Sequence, residues 1–167
     1  MPERPSRRDQ ICRAAIALAA RGGSHALTHQ AIDAELGIAK GSTSYYYRTR
    51  AALIAGVSEF LAAQSRAVFH DLVARHAGES PDTVIDAYLA DLAATRRDHV
   101  RARLALILDA DCGADQRAGL ATCLFSLDEA ERLLRSHAHS HPEVGASELL
   151  DRLEGHILRT LILAGTA

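Results

Sequence analysis

Residues 27 to 53, LTHQAIDAELGIAKGSTSYYYRTRAAL, decide the fold, because they read as two short helices joined by a glycine turn and followed by the start of a third. Thr28 is placed to N-cap the first of these, with Leu27 and Ile32 at the spacing of a hydrophobic staple. Ala31, Ile32 and Leu36 make its apolar stripe, and Gln30, Asp33 and Glu35 are expected to face away. Gly37 supplies the left-handed backbone of a tight turn, and Ile38 returns the chain to the core.

The next segment, Ala39 to Tyr47, holds Lys40, Gly41, Ser42, Thr43, Ser44, Tyr45 and Tyr46 and hardly an aliphatic side chain. A helix that polar is not held by its own burial. Small hydroxyls, a lysine and Gly41 near the helix start permit close approach to a groove floor, and first-turn N–H groups suit phosphate oxygens. Thr49 is the next expected N-cap, and Arg50 and Leu53 open a long helix. The pattern points to a helix-turn-helix that reads double-stranded DNA.

Over roughly the first third of the chain, from a helix near Ser6 to Leu53, the sequence resembles the tetracycline-repressor (TetR) family of transcriptional regulators. The family pattern runs Thr-x-x-x-Ile-Ala, a Gly-hydrophobic turn, Lys-Gly-Ser/Thr, a tyrosine-rich end, then a basic residue and Ala-Leu. The resemblance implies that Thr28 to Leu36 braces the DNA backbone, that Lys40 to Tyr46 enters the major groove, and that Tyr45 and Tyr46 touch phosphates. Thr43-Ser44 stands where the family most often has Leu-Tyr, and Tyr47-Arg48 where it has phenylalanine and a small turn residue. The phosphate contact of the family tyrosine is therefore either missing or passed to Tyr45 and Arg48. The resemblance further implies a homodimer joined by its two closing helices, and a small-molecule effector in the body that shifts the helix beginning at Arg50.

Charge is distributed to match. Residues 1 to 50 hold 8 Lys+Arg against 4 Asp+Glu, and residues 51 to 167 hold 11 against 17, so the motif lies in the basic part of a chain of net charge −2. Arg4, Arg7 and Arg8 are read as a possible DNA arm ahead of the first helix. Cys12, Cys112 and Cys123 are scattered singly, and no apolar run is read as a membrane span or a signal peptide, which gives the expectation of a reduced, cytoplasmic protein with no membrane contact. Neither a nucleophile elbow, nor His-Glu-x-x-His, nor a phosphate-cradling loop is present, so neither an enzyme nor a cofactor is expected.

The fold class expected is all-α: a three-helix head, residues 1–49, and a helical effector-binding and dimerisation body, residues 50–167. Ser6 with Asp9 forms a capping box for a first helix ending near Arg21, with Ile11, Ala15 and Leu18 inward. In the body, helices are predicted from Arg50 to His76, from Ser80-Pro81 with Val84, Ile85, Tyr88, Leu89 and Leu92, and from Asp98 to Asp111. Two long ones follow, Asp115 to His137 and Pro142 to Ala164, the second marked by Ser140 and Glu143 at capping-box spacing. Its apolar arc is wide enough to be buried on two sides. Leu120, Leu124, Leu127, Leu153, Ile157 and Leu161 are the expected dimer-interface residues.

Phe60, Gln64, Tyr88 and Phe125, with Leu104, Ile107 and Leu108, are candidates to line the effector pocket, each with plain core as its ordinary alternative. His137, His139 and His141 alternate in a connection and suggest metal, but a solvated loop is the better reading and no metal site is assigned. Asp109, Asp111 and Cys112 at a helix end are read as solvent-facing, with a cation or basic effector as the alternative. The function expected is a homodimeric regulator, acting as a repressor, on a pseudo-palindromic operator, with Lys40, Ser42, Thr43 and Ser44 contacting the groove and Thr28, Tyr45, Tyr46 and Arg50 positioning the DNA backbone. A metal sensor and a regulator answering to a protein partner are the alternatives.

Overall fold

Ser6 turns the chain into its first helix: its hydroxyl accepts the Asp9 N–H at 3.1 Å, and the Asp9 carboxylate accepts the Ser6 N–H at 3.2 Å. This is the capping box that the sequence predicts. The computed structural model describes residues 5–164, with side chains through residue 160, and those residues form helices, turns and loops without a strand. In order they are α1 (Arg7–Gly22), a 3-10 turn (Ser24–Ala26), α2 (His29–Glu35), α3 (Ser42–Tyr46), α4 (Arg50–Arg75), α5 (Pro81–Ala94), α6 (Arg97–Ile107), α7 (Ala114–Thr122), α8 (Leu127–Ser136) and α9 (Pro142–Ala164). The fold is all-α, with a helix-turn-helix head.

The chain gathers into two compact units, one of residues up to Ala63 with Asp98–Cys123, the other of Gln64–Arg97 with residues from Leu124 onward. In the first, Ile11, Ala15, Leu27, Ile32, Leu53, Val57, Leu61, Leu106 and Leu120 are buried. Each large aliphatic side chain there contributes roughly 1.5 to 3 kcal/mol by leaving water. By length and composition α4 is apolar enough to cross a membrane, which the sequence reading did not anticipate. Its Leu53, Val57, Leu61 and Leu72 are instead core residues.

The head is held by a buried carboxylate. Asp33, expected to face away on α2, is buried, and it accepts the Gly41 N–H at 2.7 Å, the Thr43 N–H at 2.8 Å and the Thr43 hydroxyl at 2.7 Å. Burial alone would raise its pKa, but the three hydrogen bonds, with His29 nearby, hold it below the ordinary aspartate value. Gly41 caps α3 at φ 92° and Gly37 sits at φ 61°, so both glycines are required by left-handed backbone. For Gly41 this is a backbone requirement that the sequence reading did not give it.

Arginines finish two helices of the same unit, α6 and α7. Arg103 on α6 is buried and donates through Nε to the Leu120 carbonyl at 2.7 Å and through Nη2 to the Ala121 carbonyl at 2.9 Å, covering the end of α7. With α7 stopped there, and with the Ser126 hydroxyl accepting the Glu129 N–H at 3.4 Å to start α8, the single helix predicted from Asp115 to His137 becomes two. The predicted end of α6 at Asp111 is likewise too late. Arg117 donates to the Ile107 carbonyl, and to the Cys112 carbonyl at 2.8 Å, closing α6 four residues earlier.

In the second unit, Ser80 caps α5 by accepting the Thr83 N–H at 3.3 Å, ahead of Pro81 at its first turn, as expected. The inward stripe of α9 is Ala146, Leu149, Leu153 and Ile157, and it packs on α8. Leu153 and Ile157, and Leu124 in the same unit, are buried within their own chain and are unavailable to a partner, as is Leu120 in the first unit. Of the expected interface residues whose side chains are described, only Leu127 is exposed, at 42%, while the outer side of α9 offers Val144 and Leu158. The side chain of Leu161 lies outside the described residues.

Two substitutions test these polar anchors. Asp33→Asn should cost about 2 kcal/mol in urea denaturation, the range for buried hydrogen-bonded groups losing a partner. Because the folded-state pKa is depressed, the advantage of wild type over the variant is fully present above pH 4 and shrinks as pH falls through that lower value. Arg103→Met should cost about 3 kcal/mol in the same assay, since two helix-end carbonyls lose their donor; a loss below about 1 kcal/mol would contradict the capping role.

Candidate nucleic-acid interface

α2 begins where expected: the Thr28 hydroxyl accepts the Ala31 N–H at 3.1 Å. The helix is only seven residues long, yet it grips α3 at both ends. Asp33 holds the first turn of α3, and His29 donates its Nε2–H to the Tyr47 carbonyl at 2.7 Å, just past the last turn. His29 and Asp33 are one helical turn apart and so share a face, the one signal in the sequence that could have found this clamp.

Between and beside those two grips, α3 and the residues flanking it present their side chains. Lys40, Gly41, Ser44 and Arg48 are exposed, Ser42 and Tyr46 are half-buried, and Tyr45 is 82% exposed with its ring edge-on to Tyr46 at 5.3 Å between centroids. A tyrosine so exposed and braced by a neighbouring ring suits a phosphate contact. Thr43 departs from expectation: it is fully buried and its hydroxyl is given to Asp33, so it orders the helix and contacts no groove. The Ser42 hydroxyl is turned back to the Ala39 carbonyl.

Tyr47, unassigned from sequence, is buried with its hydroxyl 3.4 Å from the Cys12 Sγ, and the Arg8 guanidinium lies 5.1 Å from its ring centroid. Burial first, and then Cys12, push its pKa up to about 12. It therefore stays neutral and anchors the turn after α3. Arg7 and Arg8 are exposed but belong to the first turn of α1, with Arg7 donating to the Gln10 Oε1 at 2.8 Å, so neither is part of a leading arm. Arg4 lies outside the described residues.

Arg50 is occupied within the fold. Its guanidinium donates to the Leu27 carbonyl, to the Ser24 carbonyl at 2.9 Å and to the Asp109 carboxylate at 3.0 Å. Asp109 is accordingly not solvent-facing. The Ser24 hydroxyl, the Asp111 N–H and Arg50 hold its pKa below the usual aspartate value. Arg50 thus fastens the start of α4 both to the turn before α2 and to the loop after α6.

Of the candidate pocket residues, Tyr88 and Phe125 come together, with ring centroids 6.0 Å apart, in the unit that also holds the half-buried Gln64. In the other unit Phe60 is buried under the Arg13 guanidinium, 5.3 Å from its centroid, and Leu104 and Ile107 are half-buried. Leu108 is 78% exposed and lines nothing. His137 donates its Nε2–H to the Glu79 carbonyl at 2.9 Å, and the His139 Nδ1 accepts the His141 N–H at 3.3 Å. Among the described residues, no group of three or more His, Cys, Asp or Glu side chains is placed to hold a metal ion.

The sequence matches no family model and no curated protein. Among solved structures, it is similar to a member of the TetR family from Streptomyces coelicolor A3, with 25% identity over 96% of this chain and 90% of that one and a TM-score of 0.72. It is also similar in fold to the multidrug binding protein EbrR complexed with malachite green, with 22% identity over 94% of this chain and 88% of that one and a TM-score of 0.70. The imidazole complex of EbrR gives 23% identity over 96% and 87% of the two chains and a TM-score of 0.68. The chain thus carries the tetracycline-repressor fold, and the resemblance read in residues 27 to 53 extends to the architecture of nearly the whole chain.

Proposed function

We propose that this chain is a homodimeric, cytoplasmic transcriptional regulator, acting as a repressor on a pseudo-palindromic operator and released by a small molecule bound in its body. The observation that carries the reading is the α2–α3 clamp: Asp33 and His29 fix the backbone of α3 while Ser44 and Tyr45 remain exposed on it and Lys40 and Arg48 on either side of it. A short helix whose backbone is locked, whose outer side chains include a serine hydroxyl and a phenol, and which is flanked by two cations is suited to read a groove. Lys40 and Ser44 supply contacts to bases, and Tyr45, Tyr46 and Arg48 position the phosphates. Two copies must sit about 34 to 36 Å apart, one turn of the duplex, to read one face.

The exposed Leu127, Val144 and Leu158 on α8 and α9 supply an apolar surface for the partner subunit. Ligand response needs only a binding preference of a few kcal/mol between two states of the protein. That a neighbour in fold is a multidrug binding protein supports such a response here. The Arg50–Asp109 pair gives it a route, since any displacement of the end of α6 pulls on the first residue of α4 and, through the Ser24 and Leu27 carbonyls, on the head.

Fluorescence anisotropy with the duplex upstream of the coding sequence tests the reading. Wild type should prefer it over random duplex, and Lys40→Ala should weaken binding about tenfold and flatten the salt dependence. Unchanged affinity and slope would refute the placement of α3. Lys40 is the chain's only lysine, so bound operator should also protect a single side chain from acetic anhydride.

A further inference from the structure

Arg96, on the short link between α5 and α6, is 6% exposed, and its three nitrogens have unequal fates. Nε donates to the Asp91 carboxylate on α5, and Nη1 donates to the Ser65 Oγ on α4 at 3.1 Å. The guanidinium carbon lies 4.8 Å from the Tyr88 ring centroid. Nη2 is buried and has no acceptor on the protein. A guanidinium kept only to tie two helices together would be satisfied or would turn its spare donors to solvent, because a buried donor without an acceptor costs about 1 to 3 kcal/mol.

The Tyr88 ring stands beside it and is itself met by two further rings. Phe69 and Phe125 each meet Tyr88 edge-on, with centroids 5.7 and 6.0 Å away and interplanar angles of 88° and 65°. Tyr88 and Phe125 are buried and Phe69 is half-buried, and the Tyr88 hydroxyl is fixed by donation to the Leu124 carbonyl. Apolar rings with one directed polar donor are the make-up of a small-molecule site.

We propose that Arg96 Nη2 is the polar anchor of the effector site, and that the site takes a small aromatic compound bearing an uncharged oxygen acceptor, such as a ketone. The inference rests on the ligand-responsive reading above and narrows it to a chemical class. Charge selects within the class. Asp91 already matches the Arg96 charge, so a neutral carbonyl adds one hydrogen bond and no net charge. A carboxylate would bring an unmatched charge into a buried place, and an ammonium group would meet a guanidinium whose nearest carboxylate is taken.

The test is a thermal-shift titration of the full chain with acetophenone, benzoate and benzylamine. Acetophenone should raise the midpoint in a saturable way, benzoate more weakly and benzylamine not at all. Arg96→Lys keeps a cation for Asp91 but lacks Nη2, and its apparent affinity for acetophenone should fall at least fivefold. Should that variant fail to fold, the arginine side-chain 15N spectrum of wild type replaces it, with one guanidinium signal shifting on addition of acetophenone. Equal affinity in the variant, an unmoved guanidinium spectrum, a benzylamine response matching that of acetophenone, or no response to any of the three overturns the proposal. Operator binding is measured in parallel: Arg96-dependent acetophenone binding without operator release upholds the site and refutes ligand release, whereas release by a compound indifferent to Arg96→Lys refutes the site alone.

Discussion

The Asp33 carboxylate is the constraint on which the head depends. α3 has five residues, and a helix that short does not form by its own hydrogen bonds, because nucleation fixes several dihedrals for one bond gained. Its only fully buried side chain is Thr43, whose hydroxyl Asp33 also holds. Order in α3 is therefore imported from α2, through Asp33 at one end and His29 at the other. Because neither anchor lies on the outer face of α3, that face is released from structural duty, and its composition is free to be set by what it contacts.

The same logic recurs at the ends of α6 and α7, where arginines take the part that Gly23 plays at the end of α1. Arg103 covers the end of α7, Arg117 the end of α6, and Arg50 the carbonyls of the turn before α2. A long side chain can cap a helix distant in sequence, so each such bond joins segments that are otherwise unconnected. Arg50 spans 59 residues to Asp109. A capping network of this kind is stiff at rest and directional when strained, since a carboxylate moved at one end carries the guanidinium and its two carbonyls with it.

What the sequence made legible were local rules whose partners are close in the chain: the Ser6 capping box, the Thr28 and Ser80 caps, and the left-handed Gly37. Each involves residues within a turn of one another. The features it concealed all depend on distant partners. Asp33 looked like a surface acid because its partners lie 8 and 10 residues away, beyond a turn. Arg50 looked like a phosphate contact because nothing in a linear reading points to Asp109. Leu153 and Ile157 looked like interface because helical periodicity shows that a stripe is apolar without showing which chain covers it. The break between α7 and α8 was hidden for the same reason: a distant arginine, and no glycine or proline, ends the helix.

Buried polar groups are satisfied to different degrees at the reading head and at Arg96. In the head-bearing unit, Asp33, Thr43 and Arg103 are buried and each is matched to a partner on another helix, which suits a part that must hold one shape to present α3. In the other unit Arg96 is as deeply buried, but one nitrogen of its guanidinium is left over beside the Tyr88 ring, which Phe69 and Phe125 meet in turn. A fully satisfied network resists change, whereas a spare donor leaves stabilisation to be gained on binding an acceptor. A molecule that supplies the acceptor stabilises the state in which Arg96 can reach it, and that differential is what a ligand needs to shift a population. Saturation at the reading head and incompleteness at Arg96 are thus two uses of the same rule about buried hydrogen-bonding groups, one giving rigidity and the other responsiveness.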